Sequence, residues 1–169
     1  MGHRTLVAYD RGDGYDVHEA HWGVDSGELA PETPFGGPPD DTWARERAAD
    51  LIDIEGGELA DDAETAVDAK PLARGLAFEA VCKRVDPLEH EALYVVDADW
   101  TVRTSLVLNL RHGDQPVGAL VGYEGERDAA YLRGWLAGAR ATGDVADEDE
   151  AVIRALRWLD PKRGVVVFV

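Results

Sequence analysis

The chain has 169 residues, enough for one domain with a sizeable core, and sets 34 acidic side chains against 17 basic ones for a formal net charge of -17. Such an excess of carboxylates argues against a nucleic-acid partner, and no run of about 18 apolar residues marks a membrane-spanning helix. Cys82 is the only cysteine, which excludes an internal disulfide and fits a reducing cytoplasm.

The bases are almost all arginine, with lysine only at Lys70, Lys83 and Lys162. An acid-rich, lysine-poor surface on an ordinary apolar background is the composition expected of a halophile's protein. Its self-repulsion is screened in molar salt, where the Debye length is about 3 Å. The chain starts Met-Gly-His-Arg and runs directly into strand-like sequence, with no apolar leader expected.

Taken in order, Arg4–Tyr9 and Tyr15–Trp22 flank Asp10-Arg11-Gly12-Asp13-Gly14 and predict a β-hairpin. With Asp13-Gly14 as the two-residue turn, Tyr9 lies opposite His18, Val7 opposite Ala20 and Thr5 opposite Trp22. Residues 23–40 hold four of the eight prolines and read as a long loop. Asp41-Thr42 offers a helix cap, followed by helical spacing of Trp43, Arg47 and Leu51. Residues 53–70 are acidic, and either a solvated helix or a segment without fixed structure suits them. Pro71 fits the first turn of a helix that continues through the Phe78, Val81, Cys82, Val85 stripe and stops at Asp86-Pro87.

Ala92–Tyr123 is the organising stretch. Three β-rich runs are split by Asp97-Ala98-Asp99 and by His112-Gly113-Asp114. Val102, Thr104, Leu106, Leu108 and Leu110 share one face of the middle run. Connections this short force an antiparallel meander. Beyond it, 127–141 predicts a helix whose apolar face holds Tyr131, Leu132, Trp135, Leu136 and Ala139, with Gly134 and Gly138 marking close approach of a neighbour. A further helix is expected over 147–159, then a buried strand over 165–169. The fold class is α+β: one domain with an antiparallel sheet of five or six strands and helices packed over one face.

Three stretches, MGHRTLVAYDRGDGYDVHEAHWG, HEALYVVDADWTV and YLRGWLAGARATGD, together resemble a family of haloarchaeal proteins of unknown function that open Met-Gly-His-Arg and carry His-Trp-Gly after the second strand. The resemblance implies a halophile and a cytoplasmic location; it implies no mechanism.

Motifs for common chemistry are missing. No P-loop occurs, Gly12-x-Gly14 lacks the third glycine of a dinucleotide fingerprint, and neither Ser26 nor Ser105 sits in GxSxG. No cofactor and no metal site is expected: His18 and His21, three apart on a strand, fall on opposite faces. Cys82 on an apolar helical stripe reads as core.

Two constellations remain. His18 with Asp16 and Tyr9 is the candidate acid/base group of a small hydrolase or transferase, although a histidine at a hairpin is more often structural. Trp22, Arg133 and Arg140 are candidate ligand-binding residues, because converging guanidinium groups hold phosphate or carboxylate, although most arginines in so acidic a chain pair with Asp or Glu. The leading expectation is a non-enzymatic small-ligand or partner-binding module of undetermined partner; a homo-oligomer is compatible with it. An open cleft beside His18 with arginines in it favours the enzyme, whereas a tightly packed His18 with an exposed aromatic patch elsewhere favours the binding module.

Overall fold

The computed structural model describes residues 4–21, 29, 52–53, 58–59, 67–68, 70–112, 115–142 and 167–168. The strands are β1 (Arg4–Asp10), β2 (Tyr15–His21), β3 (Ile52–Asp53), β4 (Glu58–Leu59) and β5 (Ala73–Leu76), followed by the short helix α1 (Phe78–Cys82). Then come β6 (His90–Val96), β7 (Val102–His112), β8 (Gln115–Gly122), the long helix α2 (Gly125–Thr142) and β9 (Val167–Phe168). Seven strands form one sheet in the order β5-β2-β1-β6-β7-β8-β9, and β3 and β4 pair as a separate two-stranded ribbon.

The α+β class holds, but the sheet is mixed rather than antiparallel. β1 and β6 run parallel, with Leu6 beside Leu93, Val7 beside Tyr94 and Ala8 beside Val95. A parallel neighbour needs a long crossover, and residues 11–89 lie between these two strands. Both strands are central and covered on both faces, which is why Leu6, Val7 and Ala8 are all fully buried. The meander is as the spacing predicts, β6-β7-β8, with Ala92 opposite Leu106 and Val107 opposite Leu120.

The helices cover opposite faces, not one. Val81 and Cys82 of α1 pack with Leu6, Ala8, Leu93 and Val95. Leu132 and Leu136 of α2 pack with Leu106, Leu108 and Val121, whose positions alternate with those of the first set across the β6-β7-β8 register. A meander apolar on both sides leaves two surfaces to bury, so each face needs its own layer.

The N-terminal hairpin is shifted by two residues from the sequence expectation. Gly12 takes φ 88°, the Arg11 N–H donates to the Gly14 carbonyl at 2.9 Å, and the Gly12 N–H donates to Asp10 Oδ1 at 2.8 Å. The two-residue turn is therefore Gly12-Asp13, with glycine at the first central position where positive φ is required. Tyr9 lies opposite Asp16, Val7 opposite His18 and Thr5 opposite Ala20. A shift of two leaves every side chain on its expected face, whereas a shift of one would have inverted them. Gly14 has a different role: a Cβ there would sit 2.7 Å from the Gly75 carbonyl carbon, so only glycine lets β5 approach the hairpin.

Elsewhere the local signals misled. Pro71 precedes a strand, β5, which pairs with β2, and α1 is only the five residues Phe78–Cys82. Within the acidic segment, Ile52–Asp53 pairs with Glu58–Leu59, and Val67 is fully buried and bridges Ala20. The helix α2 matches its predicted span, but Tyr131 is 63% exposed and Trp135 only half-buried. Gly134 and Gly138 are exposed, and a Cβ built on either meets no described atom within 4 Å. Replacing Gly134 with alanine is accordingly expected to stabilise the fold by about 1 kcal/mol, read as a rise in the urea midpoint. An unchanged or lower midpoint would show that this face of α2 is covered. The terminal strand exists as β9, at the outer edge beside β8. The 23–40 loop and the helices expected over 41–51 and 147–159 lie outside the described residues but for Leu29, which is buried.

Candidate functional site

The hairpin brings His18, Asp16 and Tyr9 onto one face, and each of the three is engaged by further contacts. The His18 ring meets the Tyr9 ring edge-on at 5.5 Å between centroids. Its Nδ1 donates to the main-chain carbonyl of Asp68 at 2.7 Å, a partner 50 residues away that no spacing in the sequence announces. Asp16 is engaged elsewhere: Oδ2 lies 3.4 Å from Arg11 Nε, and Oδ1 accepts the Gly75 N–H at 3.1 Å. It thus ties β5 and the turn to β2. Arg11 also sits over the Tyr9 ring, 5.9 Å from its centroid.

Burial governs the protonation of this group. His18 is 3% exposed, and desolvation lowers its pKa below the ordinary histidine value; the Asp68 carbonyl and Asp16 oppose that shift, while Arg11 and Arg74 add to it. Desolvation likewise pushes the Tyr9 phenol well above its ordinary range, with Arg11 opposing. Near neutral pH the pair is an uncharged imidazole against an uncharged phenol. The unfolded ring titrates near 6.5, so between the folded and unfolded values the unfolded chain binds the extra proton. The stability His18 contributes is present above about pH 6.5 and falls with pH until the folded value is reached. Between about pH 7.5 and pH 5, wild type should lose more unfolding free energy than His18→Gln. Parallel curves for the two proteins would contradict the burial of this ring.

Beside Tyr9 lies Trp100, in edge contact at 6.4 Å between centroids. It closes the β6–β7 turn with φ 65°, a left-handed conformation that costs a residue with a Cβ roughly 1–2 kcal/mol. The Trp100 N–H donates to the Asp97 carbonyl at 2.8 Å, and the ring packs on the cluster of Val7, Tyr9, Tyr94 and Val96. Packing of a large aromatic offsets the backbone strain.

A second place has the shape of a binding site. The Pro87–Glu89 turn with the first two residues of β6, the strand β7 from Leu106 to Asn109, and α2 border a half-open cavity of about 300 Å³. Leu106, Leu108 and Leu136 give it an apolar floor, Leu88 stands 67% exposed at the rim, and Arg133 and Arg140 line it from α2. The two arginines are seven residues apart on the helix and so share one side of it. Arg140 Nη2 donates to the Asn109 carbonyl at 2.5 Å. Arg133 is exposed and makes no ion pair among the described residues. His90, 9% exposed, is part of the wall; its Nδ1 accepts the Asp86 N–H at 2.8 Å, which leaves the neutral ring's proton on Nε2. Burial lowers the His90 pKa, against the nearby Glu19, Asp86 and Glu89 carboxylates. Glu89 and Glu91 complete the charged lining.

Arg133 and Arg140 are therefore brought together, Trp22 lies outside the described residues, and His90 is the wall residue that sequence reasoning passed over. Its only signal was its position just after Asp86-Pro87, where a chain must turn. Cys82 is buried, and burial raises its thiol pKa. Among the described residues no group of three or more His, Cys, Asp or Glu side chains is placed to hold a metal ion, and no helix is long and apolar enough to cross a membrane.

Fold and site together define an α+β protein with a mixed seven-stranded sheet, a packed His–Tyr pair at its hairpin and an arginine-lined cavity under its long helix. The chain belongs to a family of unknown function (DUF6735), whose pattern matches residues 1–167. Comparison with curated proteins and with solved structures finds no match.

Proposed function

We propose that the protein is a non-enzymatic small-ligand-binding module of a salt-adapted cytoplasm, and that it binds a small anion, a carboxylate or a phosphate, in the cavity beneath α2. Arg133 carries this reading. In a chain with 34 acids and 17 bases, an arginine lining a cavity with no ion pair among the described residues is positioned for an anion that arrives from outside. Arg140 adds charge to the same wall, the Nε2–H of neutral His90 is a further donor, and the apolar floor accommodates a short hydrocarbon part. His18 supports binding over acid–base catalysis, because its ring is packed against Tyr9 and tied to Asp68 instead of lining an open cleft. The acid excess and the single buried cysteine support the cellular setting.

Titration calorimetry with inorganic phosphate and with hexanoate tests this. Saturable binding of at least one is expected. It should weaken at least about tenfold, or 1.4 kcal/mol, in Arg133→Ala and stay unchanged in Arg127→Ala, an exposed residue on the same helix outside the cavity. Absence of binding, or equal binding by all three proteins, refutes the reading.

A further inference from the structure

Two kinds of group line the cavity beneath α2. Arg133 presents a guanidinium that makes no ion pair among the described residues. The His90 Nδ1 is taken by the Asp86 N–H, which leaves the neutral ring one donor, Nε2–H. Arg140 adds charge but spends a donor on the Asn109 carbonyl. This small donor set suits the two oxygens of one carboxylate and falls short of the acceptors on a phosphate. Glu89 and Glu91 belong to the same lining, and both are engaged, Glu89 with Arg4 at 3.8 Å. Their charge offsets that of the two arginines, so a dianion finds no net positive charge here.

Most of the remaining lining is apolar, from Pro87, Leu88, Leu106, Leu108 and Leu136. Leu88 stands apart from the others because it is 67% exposed. Its turn is tied on all sides. The Asp86 carbonyl accepts the Glu89 N–H at 3.1 Å and the His90 N–H at 2.8 Å. Asp86 Oδ1 accepts the Leu88 N–H at 2.8 Å, and the Asp86 N–H returns to His90 Nδ1 at 2.8 Å. A turn so fixed keeps a leucine in water at the rim, where a hydrocarbon entering the cavity covers it. At about 300 Å³ the cavity is at the small end of ligand sites. With roughly 30 Å³ for each water-sized group, it takes about ten non-hydrogen atoms.

Resting on the reading above, we propose that the ligand is a free alkyl monocarboxylate of up to about eight carbons, held by its carboxylate on Arg133 and by its chain against Leu88, Leu108 and Leu136. Arg133 sets the charge that binds, and Leu88 sets the preference for chain length. Each methylene withdrawn from water is worth up to about fourfold in affinity, until the cavity is full.

The test titrates the full chain with butyrate, hexanoate, octanoate, decanoate and inorganic phosphate at constant ionic strength. Binding is read by NMR at the Leu88 methyl groups and the Arg133 Nε–H. Affinity should rise about two- to fourfold per methylene as far as octanoate and then level off. Phosphate should bind at least tenfold more weakly than octanoate, and Arg133→Ala should weaken every acid at least tenfold. Leu88→Ala removes an exposed side chain and leaves the fold intact. It should keep butyrate affinity within about twofold and cut the octanoate-to-butyrate ratio at least threefold. A flat series with phosphate as tight as octanoate, still lost in Arg133→Ala, overturns the alkyl chain and leaves the anion reading standing. A series that keeps its slope in Leu88→Ala, or climbs on through decanoate, overturns the placement of the chain in this cavity. Alkyl acids that bind equally well without Arg133 overturn both this proposal and the anion reading. Failure of every probe to bind does the same.

Discussion

Leu93→Ala is expected to cost about 2–5 kcal/mol, against a total stability of roughly 5–15 kcal/mol for a domain. Leu93 is 1% exposed at the centre of β6, beside Leu6 across the parallel pair and opposite Ser105 on β7. Its side chain belongs to the cluster capped by Val81 and Cys82 of α1, so truncation removes contacts from two strands and a helix at once. Little in this arrangement can collapse to fill the gap, because the flanking Leu6, Ala8 and Val95 are held by ladders on both sides. Leu88→Ala is the control. At 67% exposure it should change stability by no more than about 0.5 kcal/mol. Urea unfolding of both variants checks the result through the midpoint, with the slope unchanged. Equal, small costs at the two positions would mean that β6 is not an interior strand, and the parallel pairing with β1 would fall with it.

The thermal midpoint is expected to rise steeply as KCl is raised from dilute buffer to about 1 M, as the Debye length falls from about 10 Å near 0.1 M to about 3 Å. The net charge of -17 is not spread evenly: residues 1–70 hold 18 acids and 5 bases, whereas residues 71–169 hold 16 and 12. Ion pairs present in the described part, such as Arg4 with Glu19 at 3.3 Å and Arg103 with Asp97 at 3.0 Å, employ few of the carboxylates. The rest repel one another over distances that salt screens. Exposed pairs are individually worth about 1 kcal/mol or less, so their loss in salt is smaller than the relief of that repulsion. Sucrose at matched concentration separates the causes, because it strengthens burial without screening charge. A midpoint that responds equally to sucrose and KCl, or falls in KCl, would show that the acid excess does not destabilise this fold.

How much of this was legible beforehand differs by element. The alternation in Val102–Leu110 and the brevity of the two connections define the β6-β7-β8 meander, because period-two patterning and short loops are local properties. Glycines within Asp10–Gly14 likewise announce a hairpin, and α2 follows from its apolar spacing. The choice between Gly12-Asp13 and Asp13-Gly14 as the turn is not local. It depends on β5 lying against Gly14, which only tertiary contact supplies. The candidate site divides the same way. That His18 and Tyr9 share a face follows from the hairpin, but the Asp68 carbonyl that fixes the imidazole comes from a segment whose composition reads as solvated surface. Arg133 and Arg140 share a helix side by their spacing; that this side borders a cavity depends on where β6 begins.

The sequence by itself determined the N-terminal hairpin, the meander and the long helix, which side chains share a face in them, and that acids outnumber bases two to one. Each of these rests on the intrinsic period of the backbone or on a count of charges. The tertiary structure alone decided the rest: the parallel β1–β6 pair, the β2–β5 pairing, the burial of Val67, and the two helices on opposite faces. These depend on which of several compatible strand edges meet across up to 80 residues of chain. No local preference encodes that choice, because it is settled by the simultaneous burial of both faces of the sheet.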